Sequence, residues 1–448
     1  MKWNGTIWET GRPDILNCQI SQVLHNPLEA YVVKHSTDPE NPLPALAKLN
    51  RLRSLSSINS IITQICAIKG SAKSIKWNVQ EYKLGFTNGI LNLKTGMFEA
   101  GCKEDYMTQT TGYSLPLTVN SVVDGLRETE GKHIDEVKAL FDQILPEQHV
   151  CGVFWQILGS CLVGRTLEAI PVFTGVGRNG KGLTIQFIQN VLGDEMYYTG
   201  DNSVLQREVG TGGINQSLAN MGGKRCVVFS EGSADTKFKV SSLKHISGGD
   251  QINARGIYSS DTNTRLCSTS IIDCNAIPPL DKIDAAIDAR IKLIPFNSRF
   301  LTPQVIAKLP TGTKNVYPVN DLYKQNTWQH PRRVAMLMLM LDGLRDMLSN
   351  PTGSFILYNI PQSLEEAKRA YIQDSDECLT WFKGQYHITN GDDDVVTLGD
   401  VYAKFKGDED SPYANYSKKE KRGVGSKKSF ITQRCRSTTA KTHILQSM

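Results

Sequence analysis

Gly175-Val176-Gly177-Arg178-Asn179-Gly180-Lys181 lies between a strand-like apolar run at 170–174 and a helix-like run at 183–191. It fits G-x-x-x-x-G-K, and the order strand, loop, lysine, helix is the context that pattern requires. Closely spaced glycines let backbone N–H groups turn inward around phosphates, and a helix start adds a field favouring negative charge. Lys181 is placed to reach the β- and γ-phosphates of a nucleoside triphosphate. Gly182, Leu183 and Thr184 complete the stretch expected to touch nucleotide, with ATP and Mg²⁺ as the expected cofactors. The position after the lysine is ordinarily Ser or Thr, which binds the metal; here it is Gly182. The next hydroxyl, Thr184, lies about half a helical turn further on. Either water and an acid hold the metal, or Thr184 is recruited, or hydrolysis is weak.

Outward from the loop, Lys224-Arg225-Cys226-Val227-Val228-Phe229-Ser230-Glu231 is an apolar strand ending in a carboxylate. An acid at the carboxyl end of a buried parallel strand can orient Mg²⁺ and an attacking water, so Glu231 is a catalytic and metal-side candidate. Further strand-like runs at 269–273 and 292–296 alternate with helical stretches, which predicts a parallel sheet wrapped by helices. Apolar spacing predicts helices within 134–163 and at 334–347. Toward the N-terminus, 46–68 reads as helical. Phe86-Thr87-Asn88-Gly89-Ile90 reads as a hairpin with Asn-Gly supplying two positive-φ turn positions. After 345 the chain reads as a small module: a helix over 362–382, a strand at 394–398 and a helix from 399.

At 448 residues the chain is too long for one core, so two or three domains are expected: 1–125, 126–345 and 346–448. Its composition, 40% hydrophobic and 21% charged, is that of a globular protein, and no apolar run reaches the ~20 residues of a membrane span. The ten cysteines form no C-x-x-C pair, which favours reduced, structural thiols in an intracellular protein. From Ser411 onward nine basic residues, Lys418, Lys419, Lys427 and Lys428 among them, face one acid, whereas the whole chain is only +5. A basic tail on a near-neutral body suggests a polyanion such as DNA, through counterion release.

The motifs downstream give a resemblance. Leu243-Lys244-His245-Ile246-Ser247-Gly248-Gly249-Asp250-Gln251-Ile252-Asn253-Ala254-Arg255 is followed by a strand ending Cys274-Asn275-Ala276-Ile277-Pro278, then by Asp288-Ala289-Arg290-Ile291. With the phosphate loop, this order resembles the superfamily 3 helicases, specifically the primase-helicases of poxviruses, other large DNA viruses, phages and plasmids. The resemblance implies an AAA+-type α/β motor with a mostly helical N-terminal domain and a winged-helix-like C-terminal module. It implies that Asn275 is a sensor for the attacking water and that Arg290 is a finger inserted into a neighbour's nucleotide, hence a homo-hexameric ring. It further implies that Lys244, Arg255, Tyr258 and Arg265 belong to a hairpin region contacting single-stranded DNA. Forked DNA, a primase and other replication proteins are the implied partners, 3′-to-5′ travel the implied direction, and the host cytoplasm the implied location. Met1-Lys-Trp-Asn-Gly-Thr-Ile-Trp resembles the segment that follows the family's primase domain, so no priming activity is expected of this chain. The alternatives are an ATP-gated DNA-binding or loading protein with slow hydrolysis, and a triphosphatase acting on RNA or in packaging.

Overall fold

The computed structural model describes residues 2–9, 75–207, 216–230, 236–249, 251–253, 263–375, 381–382, 384–389, 398–409 and 443–446, with Ala30, Lys34, Ser56, Ser60, Ser411 and Tyr413. Two compact units emerge, the first made of 1–131, 162–164 and 191–196, the second of the remainder.

In the first unit a short hairpin, β1 (Lys2–Trp3) with β2 (Trp8–Glu9), accompanies a three-stranded antiparallel meander: β3 (Lys83–Phe86), β4 (Gly89–Asn92) and β5 (Phe98–Glu99). Leu84, Phe86, Ile90, Leu91 and Phe98 are fully buried, so the meander is a core rather than a surface ribbon. Lys83 places its ammonium 2.8 and 2.9 Å from the two carboxylate oxygens of Asp105, which compensates a largely buried acid. Over 75–125 the region expected to be mostly helical is sheet and loop with two single 3-10 turns, Lys103–Asp105 and Val123–Gly125; the helix read at 46–68 lies outside the described residues apart from Ser56 and Ser60. The hairpin is also shifted from its expected register. Phe86 pairs with Gly89, so the turn is Thr87-Asn88, and Asn88 has no positive φ. Gly89 is needed for a different reason: a Cβ there would lie 2.5 Å from the Phe98 ring.

The second unit is built on a five-stranded, wholly parallel sheet. Its elements, apart from residues 126–131 and 191–196, which belong to the first unit, are in chain order helices α1 (Leu126–Ile144) and α2 (Gln148–Ser160), β6 (Ile170–Thr174), α3 (Lys181–Met196), β7 (Tyr197–Asp201) and β8 (Cys226–Ser230). There follow α4 (Val240–Gly248), the antiparallel pair β9 (Gln251–Asn253) and β10 (Asn263–Arg265), β11 (Thr269–Cys274), α5 (Ala285–Arg290) and β12 (Ile291–Pro295). The last elements are β13 (Arg299–Leu301), β14 (Val316–Pro318), α6 (Asn326–Leu348), α7 (Gln362–Ser375), β15 (Tyr386–Thr389), α8 (Leu398–Gly407) and β16 (His443–Gln446). The sheet order is β12-β6-β11-β8-β7, so the strand before the phosphate loop is central. Val172, Val227, Phe229, Ile272 and Leu293 fill its interior, as expected of strands covered on both faces. The fold is mixed α/β, with the parallel sheet that the alternating pattern predicts.

The helix expected at 334–347 extends to 326–348 and contains the predicted 345/346 boundary. Pro331 is the sixth residue of this helix, past the first turn, so its missing N–H removes one i→i−4 hydrogen bond. Beyond it, Trp381, Tyr386, Val401 and Phe405 form a small cluster of their own, and β15 pairs antiparallel with β16. The strand expected at 394–398 lies outside the described residues except for Leu398, which begins α8. Among the described residues no helix is long and apolar enough to cross a membrane.

Candidate nucleotide site

Parallel register brings three strand ends to one edge. Thr174 of β6 pairs with Cys274 of β11 and Pro295 of β12, while Asp273 pairs with Ser230 of β8. Gly175, Asn275 and Phe296 therefore leave the sheet side by side, and the loop 175–181 forms above them. Gly175 (φ 144°) and Gly180 (φ 94°) adopt backbone angles that L side chains rarely take. A Cβ on Gly175 would sit 2.5 Å from the Phe296 carbonyl, and one on Gly180 2.7 Å from Ile144. Asn179, buried, donates to the Phe296 carbonyl at 3.4 Å and accepts from the Lys181 amide at 3.3 Å, which ties the loop to the sheet.

Lys181 begins α3 and is almost fully buried. Its ammonium donates to the Gly175 carbonyl at 2.5 Å and to Asn275 Oδ1 at 3.0 Å, with Asp273 Oδ1 at 3.8 Å. Burial pushes Lys181 below the usual lysine range, and the Asp273 charge opposes that shift. A buried cation held by a carbonyl, an amide oxygen and a carboxylate is prepared to receive phosphate oxygens. Asn275, proposed as a sensor from the sequence, thus meets the loop lysine directly. Asp273 was missed there, although an acid one position before the end of an apolar strand was the available signal.

Thr184 does not stand at the loop surface. It is fully buried, and its hydroxyl donates back to the Gly180 carbonyl at 3.0 Å, as a threonine one turn into a helix readily does. A Cβ on Gly182 would meet nothing within 4 Å, so the space a metal-binding hydroxyl would occupy is open. Magnesium keeps several waters and needs one or two protein oxygens beside the phosphates. The open space at Gly182 leaves room for an ion held mainly by phosphate oxygens and water. Glu231 lies outside the described residues, one position after the end of β8.

Beside the loop is a cavity of 420 Å³. One wall is Arg178, Gly180, Gly182 and Leu183; the other is Leu140 with Phe300, Val319 and Tyr323. The Phe300 amide donates to the Arg178 carbonyl at 2.8 Å, so β13 is stitched to the loop and carries this wall with it.

The remaining sequence candidates lie elsewhere. Arg290 ends α5 at the amino end of β12, whereas Phe296 at the other end touches the loop. Five residues at roughly 3.3 Å each put about 16 Å between these ends, beyond the reach of an arginine side chain. Arg290 donates instead to the Lys244 carbonyl at 3.3 Å. The Lys244 ammonium, its side chain 32% exposed, is bound to the Asp284 carboxylate. Arg265 is described in its backbone only; Arg255, Tyr258, Lys418, Lys419, Lys427 and Lys428 lie outside the described residues.

Residues 1–148 match the family described as D5 N terminal like. Primase D5 of fowlpox virus is 31% identical over 296 residues, which cover 64% of this chain and 35% of that protein. A protein of invertebrate iridescent virus 3, provisionally named helicase 121R, is 24% identical over 370 residues, covering 80% of this chain and 38% of its own. The chain thus spans little more than a third of either relative. A solved structure, the apo form of the NrS-1 C-terminal region, aligns over 54% of this chain and 50% of that one, at 17% identity and a TM-score of 0.36. Residues 1–148 thus match the D5 N terminal like family, and over 64–80% of its length the chain is similar to proteins of poxviruses and other large DNA viruses named as primase or helicase.

Proposed function

We propose that this chain is the ATP-driven motor of a replicative DNA helicase of the superfamily 3, AAA+ type, acting as a homo-hexameric ring on single-stranded and forked DNA. The observation that carries the reading is the Lys181–Asn275–Asp273 cluster under a glycine loop at the edge of a parallel sheet. Backbone amides of 175–181 and the start of α3 bind the triphosphate, and Lys181 neutralises its β- and γ-oxygens. Asp273 keeps Lys181 charged and in place, while Asn275 and Glu231 orient the attacking water. The base and ribose enter the cavity between the loop and Phe300, Val319 and Tyr323. Mg²⁺, held by water and by Glu231, would supply positive charge to offset that developing on the phosphate oxygens.

Arg290 supports a ring because it sits at the wrong end of β12 to serve its own loop. A guanidinium with that placement serves a neighbour's nucleotide. DNA contact is assigned to the segment joining β9 and β10, with Arg255 and Tyr258, to Arg265, and to the basic tail with Lys418, Lys419, Lys427 and Lys428. Lys244, paired with Asp284 and partly exposed, is proposed as a further member of that set. The domain division 1–125, 126–345 and 346–448, a winged-helix-like tail, 3′-to-5′ travel, a primase partner and action in the host cytoplasm follow from the family and are proposed with it.

A second reading, a nucleotide-gated DNA-binding or loading protein with slow turnover, is favoured by Gly182 alone. ATP hydrolysis measured with and without single-stranded DNA separates the two. Hydrolysis stimulated by DNA, abolished in Lys181→Ala and in Arg290→Ala and partly restored when the two variants are mixed, supports the ring motor. DNA binding with negligible hydrolysis in the parent rejects it in favour of the switch.

A further inference from the structure

The far wall of the cavity beside the phosphate loop has two fastenings, and only one of them runs to the loop. The Phe300 amide donates to the Arg178 carbonyl, and the Val319 amide donates to the Leu301 carbonyl, so β13 and β14 follow the loop. The rest of that wall is a single 3-10 turn, Asp321–Lys324, capped by Asn320, whose side chain accepts the Leu322 amide at 3.1 Å. Tyr323 and Lys324 line the cavity from this turn.

The turn is held by carboxamide side chains. Gln186 and Asn190 stand four residues apart and share one face of α3, the helix that Lys181 begins. Leu183, three residues before Gln186, continues that face into the cavity. Gln186 Nε2 donates to the Lys324 carbonyl at 3.0 Å. Gln329 of α6 is fully buried; its Nε2 donates to the Tyr323 carbonyl at 2.8 Å and to Gln186 Oε1 at 3.3 Å. Its Oε1 accepts from Asn190 Nδ2 at 2.6 Å. Both hydrogens and the oxygen of the Gln329 amide are therefore used, and two consecutive carbonyls of the turn are tied to α3 and α6. The Tyr323 ring is backed by Trp328 at 4.8 Å between centroids, and Trp328 meets Phe187 of α3 at 6.0 Å and the Arg332 guanidinium at 4.4 Å. Filling a core requires no amides, since leucine packs there without the cost of desolvating a polar group. A buried network with every member paired fixes one arrangement. What this one fixes is the turn 321–324 against α3, whose first residues form the opposite side of the cavity.

We infer that Gln186, Gln329 and Asn190 are positioning residues for the base and ribose of the nucleotide, setting the cavity wall without touching the phosphates. The inference rests on the reading that base and ribose enter this cavity. The test compares the affinity of the full chain for ATP and for inorganic tripolyphosphate, which has no base or ribose, each with Mg²⁺, by calorimetry. The variants are Gln329→Met and Gln186→Met, because methionine matches glutamine in length and helix preference. Gln186 is only half-buried, so its variant keeps the test open if Gln329→Met does not fold. The parent should bind ATP more tightly than tripolyphosphate. Each variant should lose about tenfold in ATP affinity, the upper end of what one hydrogen bond contributes, and bind tripolyphosphate as the parent does. In hydrolysis, KM for ATP should rise with kcat unchanged, the mark of binding lost equally before and in the transition state. A role confined to stability would lower both affinities together, and that result overturns the inference. So does parent-like ATP affinity in Gln186→Met while the parent still prefers ATP, which leaves the cavity reading in place. A parent that binds the two ligands equally rejects the cavity reading itself, and the inference with it.

Discussion

At the carboxyl edge of the parallel sheet, the phosphate loop is held by backbone and by buried groups. Gly175 and Gly180 take φ values of 144° and 94°, Asn179 is bonded to the Phe296 carbonyl, and Lys181 to the Gly175 carbonyl. Around α4 and α5 the fastenings are ion pairs with solvent access: Lys244–Asp284 with side chains 32% and 38% exposed, and Lys239–Asp281 at 35% and 20%. Pairs of that kind contribute roughly 0–1 kcal/mol each, whereas a strained backbone position is set by everything packed around it. The contrast teaches where the molecule is rigid and where it can be reset cheaply. A phosphate cradle needs one geometry; a face fastened by exposed ion pairs can be rearranged at low cost.

The largest effect that tests this contrast is expected at Gly180. Alanine there meets Ile144 Cγ1 at 2.7 Å and must adopt a φ of 94°, so Gly180→Ala should cost about 2–3 kcal/mol of stability. Asp284→Asn, which releases one ion pair, should cost under about 1 kcal/mol. Denaturant unfolding of both variants measures the difference. Equal costs would break the comparison and make the α4–α5 face as fixed as the loop.

The legible parts of this molecule are those where local pattern and final contact coincide. Apolar runs and a glycine spacing marked β6, the loop and α3, and the strands expected at 225–229 and 292–296 fall within one residue of β8 and β12. Asn275 could be paired with the loop because parallel strands end together. What stayed hidden depends on side chains choosing between partners. Thr184 carries a hydroxyl, and only the folded helix shows it spent on Gly180. Lys244 has a partner in Asp284, forty residues away, that only the fold brings beside it. The cavity wall of Phe300, Val319 and Tyr323 lies more than a hundred residues from the loop it faces. Asn88-Gly89 misled for a related reason: the contact that requires Gly89 is made by Phe98 across the meander, not by the turn.

An intermediate effect sharpens the buried side of the comparison. Burial lowers the Lys181 pKa and the Asp273 carboxylate raises it, so Asp273→Asn should lower it further. The ammonium then loses its proton at lower pH, and affinity for nucleotide should fall off earlier as pH rises, while near pH 7 the loss stays modest. Titration of a fluorescent nucleotide between pH 7 and 10 reads the position of that limb. A limb unmoved in the variant would mean that Asp273 does not set the charge of Lys181.

The smallest expected effect is at Gly182, and it concerns a place where the rigid edge was left incomplete. Nothing lies within 4 Å of a Cβ at this position, so serine or threonine fits without moving a neighbour. Replacing glycine near a helix start should also raise stability by a few tenths of a kcal/mol, since glycine is the poorer helix former. Gly182→Thr is therefore expected to fold as the parent does and to need less magnesium for half-maximal hydrolysis, by roughly two- to fivefold. That modest factor corresponds to one oxygen replacing a water already in the coordination shell, about 0.5–1 kcal/mol. A magnesium titration of hydrolysis in parent and variant gives the number directly. No change would mean that the metal is positioned by acids and phosphates alone, and that the open space beside Lys181 is filled by water in the working enzyme. A large gain would mean that the parent turns over slowly for want of this hydroxyl, which is the condition under which the same fold serves as a nucleotide switch.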